Sequence, residues 1–142
     1  MEIDGKGKEY YDDGILIFEG EYLNGQRWKG KGKEYNDDAK LIFEGEYLNG
    51  KRNGKGKEYV DGEIIFEGEY LNGKINGKGK EYNNNGELIF EGEYLNGKRN
   101  GKGKEYNYNG GNLRFEGEYL NGLRNGKGKK YKERKLVFEG EF

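Results

Sequence analysis

Paired carboxylates are the residues in this sequence best placed to do chemistry. Glu19/Glu21, Glu44/Glu46, Glu67/Glu69, Glu91/Glu93, Glu116/Glu118 and Glu139/Glu141 each set two acids two positions apart. Two carboxylates flanking a bond are what glycoside hydrolysis uses. The repetition argues against that role, because a catalytic pair needs one special environment that drives the two proton affinities apart. Lysines repeat in the same way, at Lys6/Lys8, Lys31/Lys33, Lys55/Lys57, Lys78/Lys80, Lys102/Lys104 and Lys127/Lys129. Composition excludes much other catalytic chemistry. The 142 residues include no His, Cys, Ser, Thr or Pro. Without them there is no Ser, Thr or Cys nucleophile and no imidazole base, no usual zinc ligand set, and no hydroxyl for a Walker-type phosphate loop. The expectation is a chain with no catalytic residues, no cofactor, no metal and no small-molecule substrate.

Lys and Arg number 26 against 27 Asp and Glu, for a net charge of −1. The basic excess of a nucleic-acid binder is missing, so no nucleic-acid partner is expected. The longest apolar run, Ile15 to Phe18, falls far short of the roughly 20 residues that span a bilayer. Glu2 and Asp4 stand where a signal peptide would carry apolar residues. The expected location is cytoplasmic, with peripheral membrane contact as the only membrane role.

The elements that must hold these charges are repeats. The string FEGE begins at Phe18, Phe43, Phe66, Phe90, Phe115 and Phe138. Self-similarity at about two dozen residues signals a stacked-repeat architecture. The whole chain, 1–142, reads as one repeat domain. It divides into a half repeat 4–17, repeats 18–42, 43–65, 66–89, 90–114 and 115–137, and a half repeat 138–142. Leu, Ile, Val and Phe supply about a fifth of the residues, at the border of foldability. The constant phase of Phe and Tyr nevertheless separates this chain from a low-complexity tail.

Each unit holds two segments of alternating character, such as Leu88–Leu95 and Gly101–Tyr106, joined by Asn96–Asn100. Asn-Gly between alternating segments is a hairpin signal, and no window carries a helical period. Setting Glu91 opposite Lys104 and Glu93 opposite Lys102 gives favourable cross-strand pairs. That register puts Gly92 across from Gly103, Phe90 across from Glu105 and Tyr94 across from Gly101, and a one-residue slip would destroy it. The predicted fold is all-β: an elongated, twisted, single-layer antiparallel sheet of about 12 strands built from stacked β-hairpins. One glycine row crosses the strands, and aromatic rings can lie over it. A single unit buries too little to offset its ordering entropy, so the units are expected to fold only as a stack.

The spacing Phe-x-Gly-x-Tyr-x-x-Gly followed by Gly-x-Gly, as in Phe43-Glu44-Gly45-Glu46-Tyr47, Gly50, Gly54 and Gly56, resembles the MORN (membrane occupation and recognition nexus) repeat. The same skeleton recurs from Phe66, Phe90 and Phe115, and the resemblance runs from Gly5 to Phe142. It implies single-layer sheets of stacked hairpins, scaffolding and dimerisation roles, contact with acidic phospholipids in some members, and no catalytic residues within the repeat. The first full unit departs from the pattern. Gly25-Gln26-Arg27-Trp28-Lys29-Gly30 is one residue longer than its counterpart, which puts Trp28 at an enlarged turn, as a tolerated insertion or as a partner anchor.

Three surfaces are candidates for binding. Phe18, Tyr22, Phe43, Tyr47, Phe66, Tyr70, Phe90, Tyr94, Phe115 and Tyr119 form an aromatic face. Exposed, it would be a protein-partner surface; folded over the glycines, it would be the core. Arg27, Lys51, Arg52, Lys74, Lys98, Arg99 and Arg124 line the tight-turn edge, where an acidic membrane surface or acidic protein could dock. The terminal segments are a Lys-type strand and a Glu-type strand, complementary to each other, which predicts either head-to-tail self-association or excision from a longer array.

Overall fold

A computed structural model describes residues 5–109 and 111–142. Twelve strands follow one another in chain order: β1 (Gly5–Tyr10), β2 (Leu16–Leu23), β3 (Gln26–Tyr35), β4 (Leu41–Leu48), β5 (Lys51–Val60), β6 (Glu63–Leu71), β7 (Lys74–Tyr82), β8 (Leu88–Leu95), β9 (Lys98–Tyr106), β10 (Leu113–Leu120), β11 (Leu123–Lys132) and β12 (Lys135–Glu141). Every neighbour in space is a neighbour in sequence, and every pairing is antiparallel. The product is one open meander with no second layer.

Even-numbered strands carry the Glu pairs and odd-numbered strands the Lys pairs. Asn-Gly turns join each even strand to the next odd one. Asn96 and Gly97 have φ of 50° and 87°, the positive values that a two-residue hairpin turn matching strand twist requires. The turn is therefore tighter than the Asn96–Asn100 connection read from sequence, and β9 already begins at Lys98. The register shifts between Gly92 and Tyr94 because β9 bulges there. Gly101, at φ 104°, sits in that bulge, and the Glu93 carboxylate accepts a hydrogen bond from the Lys102 N–H at 3.1 Å. Tyr94 consequently faces Arg99 rather than Gly101. Gly101 instead faces Tyr119 of the following hairpin. The wider connections are built on side-chain turns: the Asn83 amide oxygen accepts from the N–H groups of Asn85 and Glu87 at 2.9 and 3.0 Å, a local substitute for backbone pairing.

Elsewhere the sequence-derived register holds. Phe90 faces Glu105, Glu91 faces Lys104 and Gly92 faces Gly103, and Gly103 faces Gly117 in turn. The glycine row continues from Gly32 to Gly140 across ten strands. It is broken once. Gly20 pairs with Gly30, not with Gly32, so the first hairpin is offset by two residues along β3. The extra residue of this unit is absorbed there. Its turn is the same Asn24-Gly25 pair, at φ 52° and 74°, and Trp28 lies half-buried inside β3 rather than at an enlarged turn. The Trp28 carbonyl accepts the Asn49 N–H of the next hairpin.

Candidate functional site

The sheet's two faces divide the chemistry. On one face lie the Phe, Tyr and glycine rows. Phe18, Phe43, Phe90 and Phe115 are fully buried, Phe66, Tyr47, Tyr70, Tyr94 and Tyr119 are at most 6% exposed, and Tyr22 is half-buried against them. The proposed open aromatic face is thus corrected to the core of the protein. The reason lies in the glycines. A β-carbon built at Gly79 would stand 2.5 Å from the Phe66 ring and 2.9 Å from the Tyr94 ring. Bare backbone is what lets one Phe and one Tyr from adjacent strands close over each of the Lys-type strands β3, β5, β7 and β9. The rings meet edge to face in an unbroken zigzag, with centroids 5.2 Å apart at Phe43–Tyr70, 5.5 Å at Phe66–Tyr94 and 5.3 Å at Phe90–Tyr119, within the range favoured by ring quadrupoles.

Four residues of the predicted basic edge complete this core. The Arg99 guanidinium lies over the Phe90 ring, 3.9 Å from its centroid. It donates from Nε and Nη2 to Glu81 at 2.9 and 3.0 Å. Tyr94 donates its hydroxyl to the same carboxylate. Arg27 with Glu9, Arg52 with Glu34, and Arg124 with Glu105 repeat the arrangement over Phe18, Phe43 and Phe115. Each clamp crosses an intervening even strand, so it fastens two Lys-type strands together. The arginines are therefore not free for an acidic partner, whereas Lys51, Lys74 and Lys98 are exposed. The clamps were missed in the sequence although a signal was there: an Arg recurs 18 or 19 residues after a Glu.

Electrostatics follow this geometry. The Arg27 hydrogen bond holds the Glu9 carboxyl below its ordinary range. Burial works to raise Glu34 and Glu105, but their Arg and Tyr hydrogen bonds outweigh it and lower both. Burial, then the hydrogen bond to a carboxylate, pushes Tyr47, Tyr70, Tyr94 and Tyr119 well above the usual phenol value.

The other face carries the Glu and Lys pairs, with Leu48, Leu71, Leu95 and Leu120 along its turn-side rim, each at least 37% exposed. A trough of about 1150 Å³ runs along this face from β2 to β9. Its walls are alternating acidic and basic strands. Tyr59, Tyr82 and Tyr106 donate to Glu44, Glu67 and Glu91 at 2.6, 2.5 and 2.7 Å, and burial together with those bonds pushes the three phenols up to about 12. Tyr35 has no such bond, because the register step moves Glu19 opposite Lys31; it packs edge-on against Tyr11 at 5.1 Å.

Repeated rings over a glycine row, with the same turn in every hairpin, agree with the sequence comparisons. The MORN repeat model matches residues 2–15, 43–64, 66–87, 90–112 and 115–133, more than half of the chain. The chain belongs to the MORN repeat family. The matched stretches pass over 16–42, the unit with Trp28 and the register step. A search of curated proteins returned no match. MORN repeats are a non-catalytic repeat type that forms scaffolds, commonly for membrane or protein interaction. Among the described residues, no helix is long and apolar enough to cross a membrane, and no three acidic groups are grouped so as to hold a metal ion.

Proposed function

We propose that this MORN chain is a non-enzymatic scaffold that binds another protein along its Lys/Glu face. The observation that carries the reading is the trough of about 1150 Å³ on that face. The aromatic residues are consumed by the core, which leaves this face as the extended recognition surface. Acidic and basic strands alternate about every 4.8 Å across it, so it favours an elongated partner whose charges reverse at a matching interval. Charge complementarity of this kind sets register and selects against wrong partners. The carboxylates fit a binding role better than a catalytic one. The Glu pairs of this face repeat in strand after strand, whereas a catalytic pair needs one special environment that drives the two proton affinities apart. Capture from a lysate by the parent chain, set beside a variant with Lys55, Lys57, Lys78 and Lys80 changed to Glu, tests the reading. A protein retained by the parent and lost by the variant supports it, and equal capture by both refutes it.

A second reading, peripheral binding to acidic phospholipids, is favoured by the turn edge. Leu48 pairs with Lys51, Leu71 with Lys74 and Leu95 with Lys98 beside the Asn-Gly turns. Each pair offers an exposed apolar group next to a cation, the combination suited to an anionic lipid interface. Sedimentation with acidic vesicles separates the readings. Salt-sensitive binding lost on changing Lys51, Lys74 and Lys98 to Glu favours the membrane, and no binding favours the protein scaffold.

A further inference from the structure

We infer that β12 of one chain pairs with β1 of a second copy, continuing the sheet head to tail. This contact uses the sheet's two edges and is independent of the trough. Inside the array the glycines Gly32, Gly56, Gly79, Gly103 and Gly128 of the Lys-type strands are each roofed by rings from both sides. Gly79 has Phe66 on one side and Tyr94 on the other, and Gly103 has Phe90 and Tyr119. At the first edge Gly7 meets only Tyr22, whose ring stands 2.8 Å from the place of its missing β-carbon. Its Phe is lacking. At the last edge the defect is reversed: Phe138 is 46% exposed, whereas interior Phe90 is fully buried. It covers Gly140 of its own strand and no glycine of a following one. One edge is a glycine without its phenylalanine, the other a phenylalanine without its glycine.

The internal β8–β9 register, Phe90 to Glu105, Glu91 to Lys104 and Gly92 to Gly103, supplies the docking geometry. Transferred to the junction, Phe138 faces Glu9 of the second copy, Glu139 faces its Lys8 and Gly140 faces its Gly7. The incoming Tyr22 then meets the Phe138 ring as Tyr119 meets Phe90, edge to face. Charge selects this partner over a symmetric one. A β1–β1 contact would set Lys6 and Lys8 against lysines and a β12–β12 contact would set Glu139 and Glu141 against glutamates, and like charges directly opposite are destabilising. The join is heterologous, so it leaves a free edge at each end and adds copies in a line. Unpaired strand edges are the standard template for such addition.

The test is light scattering of the 142-residue chain over a wide concentration range, starting from the 16.4 kDa monomer. The expected result is a mass that climbs with concentration. Variant K6E/K8E, with two acidic edges, and variant E139K/E141K, with two basic edges, should each need at least about tenfold more protein to associate. An equimolar mixture of the two should associate again, since every junction then joins opposite charges. Recovery in the mixture also establishes that both variants are folded. Should either double variant lose its β-sheet circular dichroism, K8E and E139K take their places. A monomer at every concentration, or association indifferent to these reversals, overturns the inference.

Discussion

The hairpins around Arg99 and around Ile75 are built alike and fastened differently. Arg99 lies on the Phe90 ring and binds Glu81 with two hydrogen bonds. Ile75 holds the equivalent position one unit earlier. Glu58, which an arginine there would bind, keeps only its hydrogen bond from Tyr70, at 2.5 Å. Ile75 packs on the aromatic core instead, and Phe66 of this unit is 5% exposed, whereas Phe90 is fully covered. The difference teaches which part of the design is obligatory. Rings over glycine recur in both units and suffice to build the sheet. The Arg–Glu clamp is a reinforcement that one unit omits, so the β5–β7 junction near the middle of the array lacks the cross-link that the β3–β5 and β7–β9 junctions have.

The largest effect should come from removing the shared feature. Phe90→Ala and Phe66→Ala should each cost about 3–5 kcal/mol by chemical denaturation, with Phe90→Ala the worse because Arg99 loses its seat too. Equal losses would show that the arginine adds nothing to the ring. Next comes Gly79→Ala, whose methyl group would stand 2.5 Å from the Phe66 ring. Overpacking of this kind should cost about 1–3 kcal/mol. Exchanging the reinforcement should matter less: Arg99→Ile should destabilise by about 1–2 kcal/mol and Ile75→Arg should return part of that at its own site. If Ile75→Arg instead destabilises, the apolar contact outweighs the ion pair there.

The smallest effects are those of pH. The lowered carboxyls of Glu9, Glu34 and Glu105 contribute stability that is complete above their unfolded value of 4.5 and fades as pH falls below it. Tyr59, Tyr82 and Tyr106, raised to about 12, contribute stability that is complete below the unfolded value of 10.0 and is lost as pH rises from there through about 12. Thermal unfolding across pH should trace a plateau between these limbs. A variant with Tyr59, Tyr82 and Tyr106 changed to Phe should make the alkaline limb shallower without abolishing it, because Tyr47, Tyr70, Tyr94 and Tyr119 are raised as well, and it should spare the acid limb.

The strand order, the glycine row and the Glu–Lys register were legible in the sequence because period-2 alternation and Asn-Gly turns are local signals. Phe90 opposite Glu105 follows from counting residues back from one turn. The fate of the rings was not local. Whether Phe66 is exposed or buried depends on Gly79 and Tyr94, which lie one and two strands away. The Arg99–Glu81 clamp was hidden for the same reason, since it spans 18 residues and bridges strands that are not sequence neighbours. The two-residue step at Gly20–Gly30 was misread as a longer turn. An inserted residue can be absorbed by a turn or by a strand register, and Gln26-Arg27-Trp28 does not say which.

Native-state hydrogen exchange on the full chain, resolved strand by strand, tests the dependence of each hairpin on its neighbours most directly. The account predicts that protection is greatest in interior strands, declines toward β1 and β12, and is lost by neighbouring hairpins together. A hairpin that keeps its protection after the hairpins on both sides have opened would contradict it.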